Sequence, residues 1–332
     1  MKNVSVVTGG AGFIGSHLVD VLIEADHEVR VIDNLSGGHL GNLSHHSSNK
    51  NLVFFNADIT TIEKDCDIFA GADYCFHLAG IGDIVPSIEK PLDYFNANLV
   101  GTIQVLEAAR YSQVSRFVYA ASSSCYGLAD VPTKETHKIS TLYPYALSKY
   151  QAEQAVFHWS DVYGLRANSI CIFNAYGPRV RTTGAYGAVF GVFLKQKLAN
   201  KPFTVVGNGE QSRDFVFVTD VAKAFVLAAE TETFGQRFNI GAGRPQSINK
   251  LVNLLGKNDV VHLPKRPGEP DITHANIKKA QDILGWQPTV EFSDGVKMML
   301  DNILDWEEAP LWDEESIEKA TEKWFVFMGD KG

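Results

Sequence analysis

A glycine-rich loop near the start of the chain constrains its fold more than any other segment. The stretch VVTGGAGFIGSHL places Gly9, Gly12 and Gly15 after a β-branched run and at the start of an amphipathic one. In such a loop the first glycine permits a tight turn, the second lets backbone approach a pyrophosphate, and the third allows close helix–strand packing. The following helix offers free N–H groups and a positive dipole end to phosphate oxygens. The loop therefore predicts a strand–turn–helix unit for a dinucleotide.

An acidic residue stands at the spacing that such a unit requires. Asp33 closes the next β-branched run, EVRVID. A carboxylate at this position accepts both ribose hydroxyls of an adenosine and repels a 2′-phosphate. Because no arginine or lysine stands beside Asp33, we expect NAD rather than NADP. The alternative is a simple glycine turn with a solvent-facing aspartate.

Short apolar runs alternate with longer helical patterns through the first half of the chain. Several of the runs are apolar throughout, as in parallel strands covered on both faces, and they begin at Val4, Glu28, Leu52, Asp73 and Arg116. The helical patterns cover residues 12–25, 91–111 and 145–163. We therefore predict an α/β fold, a Rossmann-type doubly wound parallel sheet with a smaller α/β substrate-binding lobe.

The composition of the sequence changes at about residue 174, where glycine-, proline- and arginine-rich loops separate short elements. We predict a dinucleotide-binding domain over 1–173, to which the chain returns near 210–245. A smaller lobe occupies mainly 174–310, and a helical tail covers 311–332. Trp312, Trp324 and Phe325 are expected to anchor the tail to the body.

Charge and composition exclude several classes of protein. The net charge of −9 argues against an extended surface for nucleic acid or an anionic membrane. No apolar run is long enough to span a membrane, and the glycine-rich start leaves no room for a signal core. The four cysteines form no Cys-x-x-Cys pair, which favours reduced thiols in a cytoplasmic enzyme. Because His39, His45 and His46 have no carboxylate neighbours in sequence, no metal is expected there.

The segment YPYALSKYQAE places Tyr145 one helical turn before Lys149. A tyrosine that exchanges protons near neutrality needs its pKa lowered from about 10 by roughly three units, or ~4 kcal/mol. An ammonium ~6 Å away supplies about 2.8 kcal/mol at an effective dielectric constant of ~20. A positively charged nicotinamide ring would supply the rest. We therefore hypothesise that Tyr145 is an acid–base group activated by Lys149; a pair on a solvated helix face is the alternative.

The glycine loop and the Tyr-x-x-x-Lys pair together resemble the extended short-chain dehydrogenase/reductase family, and most closely its nucleotide-sugar epimerase/dehydratase branch. The resemblance runs from Val4 to about Trp306. Further matching motifs follow in order, namely NADI at 56–59, HLAG at 77–80, NANLVGT at 96–102, ASSSCYG at 121–127, FNAYGPR at 173–179, SRDFVFVTD at 212–220 and RPGE at 266–269.

The resemblance implies a set of cofactor contacts. Asp58 and Ile59 would hold the adenine, and Asn98 would support the helix of the active site. Leu78, Ala79 and Gly80 would line the cofactor. The other cofactor contacts carried over from the family are Phe13, Ile14, Asn34, Ala120, Tyr145, Lys149 and Phe173.

The same resemblance implies the class of reaction. Ser122, four residues before Tyr126, matches the serine or threonine that hydrogen-bonds the reacting sugar oxygen. Ser123 and Ser124 stand where 4,6-dehydratases carry an Asp-Glu pair, so water elimination is disfavoured. Since 4-ketoreductases usually prefer NADPH, which Asp33 disfavours, the interpretation that remains is NAD-dependent epimerisation at carbon 4 through a transient 4-keto sugar.

The second half of the chain carries the residues that the resemblance assigns to a nucleotide-diphosphate sugar, with UDP-hexoses expected. Arg213 and Arg266 would clamp the diphosphate, since a guanidinium matches two phosphate oxygens. Glu269 would meet the nucleotide ribose. Asn174 would contact the diphosphate or sugar, and Val189 would line the same site.

Two further positions bear on ligand binding, one on the sugar and one on the cofactor. Thr273 stands at the family's gatekeeper position, where a small residue leaves room for a 2-acetamido group. N-acetylated hexoses are therefore expected to be accepted as well as plain ones. Gly82 replaces a lysine that often lies beside the cofactor in similar epimerases, which bears on how tightly the cofactor is held.

The sequence leaves other readings open. The alternatives are a 4,6-dehydratase, a 4-ketoreductase or a decarboxylase of the same family, or a non-catalytic NAD-binding regulator. The two helices at 91–111 and 145–163 resemble the pair that forms a four-helix interface in this family, so a homodimer is expected.

Overall fold

The computed structural model describes residues 2–182, 189–256 and 258–329. Residues 183–188 of the predicted smaller lobe and residues 330–332 at the end of the predicted tail lie outside the described residues.

The strands and helices alternate through most of the chain. The strands are β1 Val4–Thr8, β2 Glu28–Asp33, β3 Leu52–Asn56, β4 Tyr74–His77, β5 Arg116–Ser122, β6 Ala167–Ile172, β7 Asn174–Tyr176, β8 Phe203–Val206, β9 Ser212–Arg213, β10 Phe215–Phe217, β11 Gln236–Ile240, β12 Gln246–Ser247 and β13 Val260–Leu263. The helices are α1 Phe13–Glu24, α2 Pro91–Phe95, α3 Gly101–Tyr111, α4 Pro144–Tyr163, α5 Val189–Leu198, α6 Val218–Glu230, α7 Ile248–Leu255, α8 Lys278–Leu284, α9 Phe292–Asp301 and α10 Glu314–Met328.

Seven strands form one parallel sheet, in the order β11-β6-β5-β4-β1-β2-β3. Every neighbouring pair in it is parallel. Apolar side chains such as Val6 and Val7 of β1 point to opposite faces, and both are fully buried under helices. The predicted doubly wound α/β fold is therefore confirmed. The strand order reverses between β1 and β4, and ligands of such sheets bind in the crevice at this point.

The smaller lobe is built from three two-stranded pairs: β7 with β10, β8 with β13, and β9 with β12. Phe193, Phe203, Phe215 and Trp306 are among the buried side chains of its core. The chain leaves the large sheet for the smaller lobe after β6 and returns to the large sheet at β11.

The predicted continuous helix over 91–111 contains a wider turn. Between α2 and α3 the backbone forms a π-helical turn over Asn96–Val100. The side chain of Asn98 inside this turn points inward and is buried. Its Oδ1 accepts a hydrogen bond from the backbone N–H of Ile81 at 2.8 Å, and its Nδ2 donates to Ser148 Oγ at 3.0 Å. Such turns are frequent at functional sites, and this one ties α4 to the loop after β4.

Helix α1 brings a carboxylate to His45 and His46, although the sequence showed no carboxylate beside them. Oδ1 of Asp20 lies 2.7 Å from Nε2 of His45 and 2.8 Å from Nε2 of His46. These three side chains have the chemistry of metal ligands, and their ligand atoms lie within 4.8 Å of one another. Oδ2 of Asp20 also accepts from Arg179 at 2.7 Å. That guanidinium already compensates the carboxylate, which disfavours a second cation.

The four cysteines are free thiols, and Cys75, Cys125 and Cys171 are buried. Within the described part of the chain, no helix has the length and apolar character to cross a membrane.

Candidate functional site

The glycine loop has the geometry that close contact with a diphosphate requires. Gly9 has φ +70°, and a Cβ there would lie 2.7 Å from the backbone nitrogen of Ala79. A Cβ on Gly15 would lie 2.1 Å from the carbonyl oxygen of Gly9. Gly12 caps α1 without a side chain, so the first N–H groups of the helix face the crevice. The loop fits a dinucleotide phosphate, which backbone amides and a helix dipole bind well.

Sequence reasoning did not single out Gly10, which the structure shows to be equally constrained. A Cβ on Gly10 would lie 2.8 Å from both methyl groups of Val31 in β2. The signal was present as a fourth glycine in TGGAGFIG, but only the packing of the loop on β2 explains it.

The carboxylate of Asp33 is held in place at the end of β2. Oδ2 accepts from the backbone N–H of Ala11 at 3.0 Å, and Oδ1 accepts from that of Leu35 at 2.8 Å. Burial raises the pKa of Asp33, while these two backbone hydrogen bonds lower it. Each oxygen keeps a lone pair for a ribose hydroxyl, so the residue fits an adenosine ribose without a phosphate.

Asp33→Asn is predicted to weaken NAD⁺ binding by about fivefold and to reduce discrimination against NADP⁺. The amide keeps one acceptor but loses the charge, and a hydrogen bond to a charged group is worth about 1 kcal/mol more than a neutral one. Calorimetric titration with both dinucleotides measures the change. Asp65→Asn, at an exposed aspartate, is the matched control. An unchanged preference for NAD⁺ in Asp33→Asn would contradict the assignment.

Asp58 and Ile59, which were predicted to hold the adenine, follow β3, and the predicted cofactor contact Asn34 follows β2. Asp58 accepts from Asn34 Nδ2 at 2.9 Å and from the backbone N–H of Thr60 at 2.8 Å. The Thr60 hydrogen bonds hold the pKa of Asp58 below its usual value. Ile59 is buried against Gly101 at the start of α3. Asn34, Asp58 and Ile59 are thus brought together beside Asp33.

The loop after β4 lies between the glycine loop and α4. The backbone N–H groups of Leu78 and Ala79 both donate to Thr8 Oγ1 at 3.2 Å. Gly80 has φ +156°, and a Cβ there would lie 2.5 Å from Asn98 Oδ1. The close approach of Asn98 therefore requires glycine at this position.

Ser122 and Tyr145 meet at the carboxyl end of β5. Tyr145 lies in the first turn of α4, and its side chain is only 9% exposed. Burial raises the pKa of the Tyr145 phenol, and a hydrogen bond with Ser122 lowers it. Ser122 Oγ also accepts from the backbone N–H of Ser124 at 3.3 Å. A hydroxyl pair at a strand end can orient and exchange a proton with a bound alcohol.

Lys149 lies one turn further along α4 and is also buried. Its Nζ lies 4.4 Å from the centre of the Tyr119 ring. Burial lowers the pKa of Lys149 to about 7, and the charge of Glu153 raises it. Glu153 is itself buried and accepts from Arg237 Nε at 2.9 Å and from Ser169 Oγ at 2.6 Å. Tyr145, Lys149 and Glu153 are each four residues apart, so their side chains lie along one face of α4.

The electrostatic hypothesis from the sequence predicted a lowered pKa for Tyr145. In the structure burial dominates, and the pKa of Tyr145 is raised instead. The same burial disfavours the charged form of Lys149, so the ammonium is a weaker source of positive charge at neutral pH than sequence reasoning assumed. Activation of the phenol remains a prediction that needs a further positive charge beside it.

A carboxylate that sequence reasoning missed lies near Tyr145. Burial raises the pKa of Tyr145 and of Tyr94, and the charge of Asp83 raises both further. Tyr94 packs edge-on against Tyr145 with ring centres 6.3 Å apart, and its hydroxyl donates to the backbone oxygen of Asp83 at 2.5 Å. Asp83 lies 3.6 Å from Arg181, and burial raises its pKa while Arg181 lowers it. Asp83 directly follows Gly82, the position noted in the sequence for its lack of lysine.

A cavity of about 280 Å³ opens between the sheet and the smaller lobe. It brings together residues that are far apart in sequence and that were predicted to contact the nucleotide-diphosphate sugar, together with Phe173, which was predicted to contact the cofactor. These lining residues are Ser123, Ser124, Phe173, Asn174, Val189, Arg213, Arg266, Glu269 and Thr273. Tyr143 and Trp324, which sequence reasoning did not assign to the site, line it too. Ala120, by contrast, is buried within β5.

The two arginines of the cavity share one carboxylate. Glu269 lies 3.1 Å from Arg266 Nε and 3.6 Å from Arg213 Nη2. Arg213 also donates to the backbone oxygen of Pro270 at 2.9 Å, and burial lowers its pKa. The three side chains carry one net positive charge, and the carboxylate holds both guanidinium groups at the wall of the cavity. Such a pair suits the oxygens of a diphosphate.

Thr273 and Asn174 form the adjoining part of the wall. Thr273 Oγ1 donates to Asn174 Oδ1 at 2.7 Å and accepts from the backbone N–H of Asp214 at 3.0 Å. The threonine side chain is thus fixed by two hydrogen bonds, and its size sets the space beside it.

A family model described as the NAD dependent epimerase/dehydratase family matches residues 5–241 of the chain. The chain is 35% identical over 303 residues to a putative UDP-glucose 4-epimerase of Methanocaldococcus jannaschii, a match that covers 89% of this chain and 96% of that protein.

Solved structures with different ligands are similar to the whole of the fold. A UDP-N-acetylglucosamine 4-epimerase from Methanobrevibacter ruminantium, in complex with UDP-N-acetylmuramic acid, has a TM-score of 0.85 and 32% identity, covering 93% of this chain and 99% of that one. A UDP-glucuronic acid 4-epimerase from Bacillus cereus, in complex with UDP-glucuronic acid and NAD, has a TM-score of 0.85 and 31% identity, covering 91% and 99%.

Proposed function

The chain belongs to the NAD-dependent epimerase/dehydratase family, and from this premise we propose that it is a nucleotide-sugar 4-epimerase. The reaction would invert carbon 4 of a nucleoside-diphosphate hexose through a transient 4-keto sugar. The observation that carries the proposal is the placement of Ser122, at the carboxyl end of β5, and of the buried Tyr145, in the first turn of α4, next to a cavity lined by Arg213 and Arg266.

The residues of the chain have distinct parts in this proposal. Tyr145 removes the proton of the 4-hydroxyl group and later returns it, while Ser122 orients the same oxygen. Arg213 and Arg266 hold the diphosphate, so that the hexose reaches the end of β5. Lys149 donates positive charge to the site when it is protonated. When bound, NAD⁺ supplies a reversible hydride acceptor, so the overall reaction has no net redox change.

We propose UDP-glucose and UDP-galactose as substrates, with UDP-N-acetylhexoses also accepted. The size of Thr273 supports the second part, because a threonine leaves space at the wall of the cavity. Incubating the purified protein with each UDP-sugar and following the epimer by NMR tests the proposal. A keto product, or consumption of added NADPH, would contradict it.

Thr273→Tyr is predicted to lower activity on UDP-N-acetylglucosamine at least ~10-fold more than activity on UDP-glucose. The phenol would fill the space that a 2-acetamido group needs. Thr273→Val is the control, because it removes the two hydrogen bonds of the hydroxyl without filling the cavity. The ratio of kcat/KM for the two sugars is the measurement. Equal losses on both substrates would show that Thr273 does not select the sugar.

A 4,6-dehydratase is the second candidate, and Asp83 is the observation that favours it. The sequence disfavoured this chemistry because Ser123 and Ser124 carry no carboxylate, but Asp83 brings one near Tyr145 from another element. A carboxyl whose pKa is raised by burial can act as a general acid. Mass spectrometry of the product separates the two reactions, since a dehydratase releases a sugar that has lost water.

We also propose a homodimer formed through α3 and α4. Apolar side chains on these helices are exposed, among them Tyr111 of α3 and Val162 and Tyr163 of α4. Exposed apolar groups on neighbouring helices support a protein interface. Light scattering after size-exclusion chromatography tests the stoichiometry.

A further inference from the structure

The C-terminal helix α10 contributes a wall to the nucleotide-sugar cavity. One face of this helix is buried and consists of Ile317, Thr321, Trp324 and Met328. Ile317 packs into the core of the smaller lobe. Asp313 and Ser316 form a reciprocal capping box at the start of the helix, which defines where it begins. The opposite face is exposed and carries Phe327.

Trp324 connects this helix to the loop that carries one of the two arginines. Its side chain is 2% exposed and lines the cavity. Its indole Nε1 donates to the backbone oxygen of Pro267 at 3.0 Å, between Arg266 and Gly268. The methyl of Met328 lies 2.7 Å from where a Cβ of Gly268 would be. Trp324 and Met328 of α10 thus contact two adjacent residues of this loop, Pro267 and Gly268, and hold the loop in place.

Trp324 also contacts the entrance to the helix that carries Tyr145. Its ring lies 5.3 Å from the ring of Tyr143, at an angle of 53°. Tyr143 is the N-cap residue of α4, and it lines the cavity together with Ser124. Burial raises the pKa of Tyr143, so its hydroxyl stays neutral.

A surface contact extends the same connection to the larger domain. Lys323 Nζ lies 2.9 Å from Glu89 Oε2, just beyond the short helical turn Val85–Ile88. Both side chains are well exposed, so the pair itself contributes little stability. It nevertheless shows that α10 contacts both the loop that carries Arg266 and the segment after β4.

We propose that Trp324 is a positioning residue for the nucleotide-sugar site, holding the loop of Arg266 and Glu269 against Tyr143. The inference rests on the proposed function, since it assigns α10 to the site of the nucleoside diphosphate. Removing the indole takes away the donor to Pro267 and the wall against Tyr143, so the arginine loses its fixed place. Asp33 and the glycine loop belong to other elements, so dinucleotide binding should be unaffected.

The test is calorimetric titration of UDP into the full-length, NAD-loaded protein. Trp324→Ala is expected to raise the Kd for UDP at least tenfold, while the content of bound NAD stays the same. Trp324→Phe keeps the ring beside Tyr143 and loses the donor, so its Kd should lie between those of the wild type and Trp324→Ala. Phe327→Ala, on the exposed face of α10, is the control and should match the wild type. In steady-state assays Trp324→Phe should raise KM more than it lowers kcat.

Two outcomes would overturn the inference, and they are distinguishable. If the wild type binds UDP and both Trp324 variants match it within about twofold, α10 does not position the site. If the wild type itself fails to bind UDP, the proposed function fails and the inference with it. Should Trp324→Ala not fold, the Trp324→Phe titration decides alone: a Kd raised at least threefold supports the role, and an unchanged Kd contradicts it.

Discussion

Replacing Tyr145 with phenylalanine is expected to lower kcat for 4-epimerisation by about 10³-fold, because general acid–base catalysis contributes typically 10²–10⁴-fold. Phenylalanine keeps the ring that packs on Tyr94 and removes only the hydroxyl that hydrogen-bonds Ser122. The fold and NAD binding should therefore be preserved. Product formation from UDP-glucose, measured beside the bound NAD content, checks both expectations.

Tyr94→Phe is the matched control for this variant. Tyr94 is a buried phenol that contacts the same ring, but its hydroxyl donates to the backbone oxygen of Asp83. We expect the control to retain activity within about tenfold of the wild type, since one neutral hydrogen bond contributes about 0.5–1.5 kcal/mol. Near-normal turnover by Tyr145→Phe with NAD bound would remove Tyr145 from the chemistry.

Replacing Lys149 with methionine is the second change with a large expected effect. We expect kcat to fall by about 10²-fold, since the charge that favours the ionised phenol is removed and two pKa units correspond to ~2.7 kcal/mol. In the wild type, kcat should change near pH 7, because Lys149 has a pKa of about 7. This change should be absent from Lys149→Met.

The same substitution is expected to increase stability, and the sign follows from linkage. The pKa of Lys149 is about 7 in the folded protein and 10.5 as its ordinary value. Between these pH values the unfolded chain binds the proton and the folded one does not, so the stability of the wild type rises with pH. Methionine abolishes this dependence. The gain in Tm over the wild type should therefore be larger at pH 6 than at pH 9.

Lys64→Met, at an exposed lysine, is the control for both measurements. It should change neither kcat nor the pH dependence of Tm. Lys149→Met with wild-type turnover and an unchanged pH profile would mean that Lys149 serves only as a packed side chain over Tyr119.

The fold and the cofactor loop were predictable because their signals are local. The glycines, the acid at Asp33 and the β-branched runs follow one another at spacings that the backbone dictates. The π-helical turn over Asn96–Val100 was not predictable from such spacing. It depends on Asn98 reaching Ile81 and Ser148, which belong to two other elements.

The candidate site was predictable only in part. Motif order supplied Ser122 and Tyr145, which lie at the end of β5 and in the first turn of α4, and the two arginines, which line the cavity together with Ser123 and Ser124. Asp83 and Trp324 carry no motif, since their positions depend on how the loop after β4 and the last helix pack. Arg213 and Arg266 both lie beside Glu269. This contact was not predictable either, because Arg213 is distant in sequence from the other two residues.

By itself, the sequence determined the α/β fold, the dinucleotide loop and the one-turn offset between Tyr145 and Lys149, because each is set by neighbouring residues along the backbone. Only the tertiary structure decided the directions of the two pKa shifts, the carboxylates beside Tyr145 and the histidines, and the place of α10 at the cavity. These depend on burial and on contacts between distant segments, and desolvation of a charge is a property of the packed interior rather than of the chain.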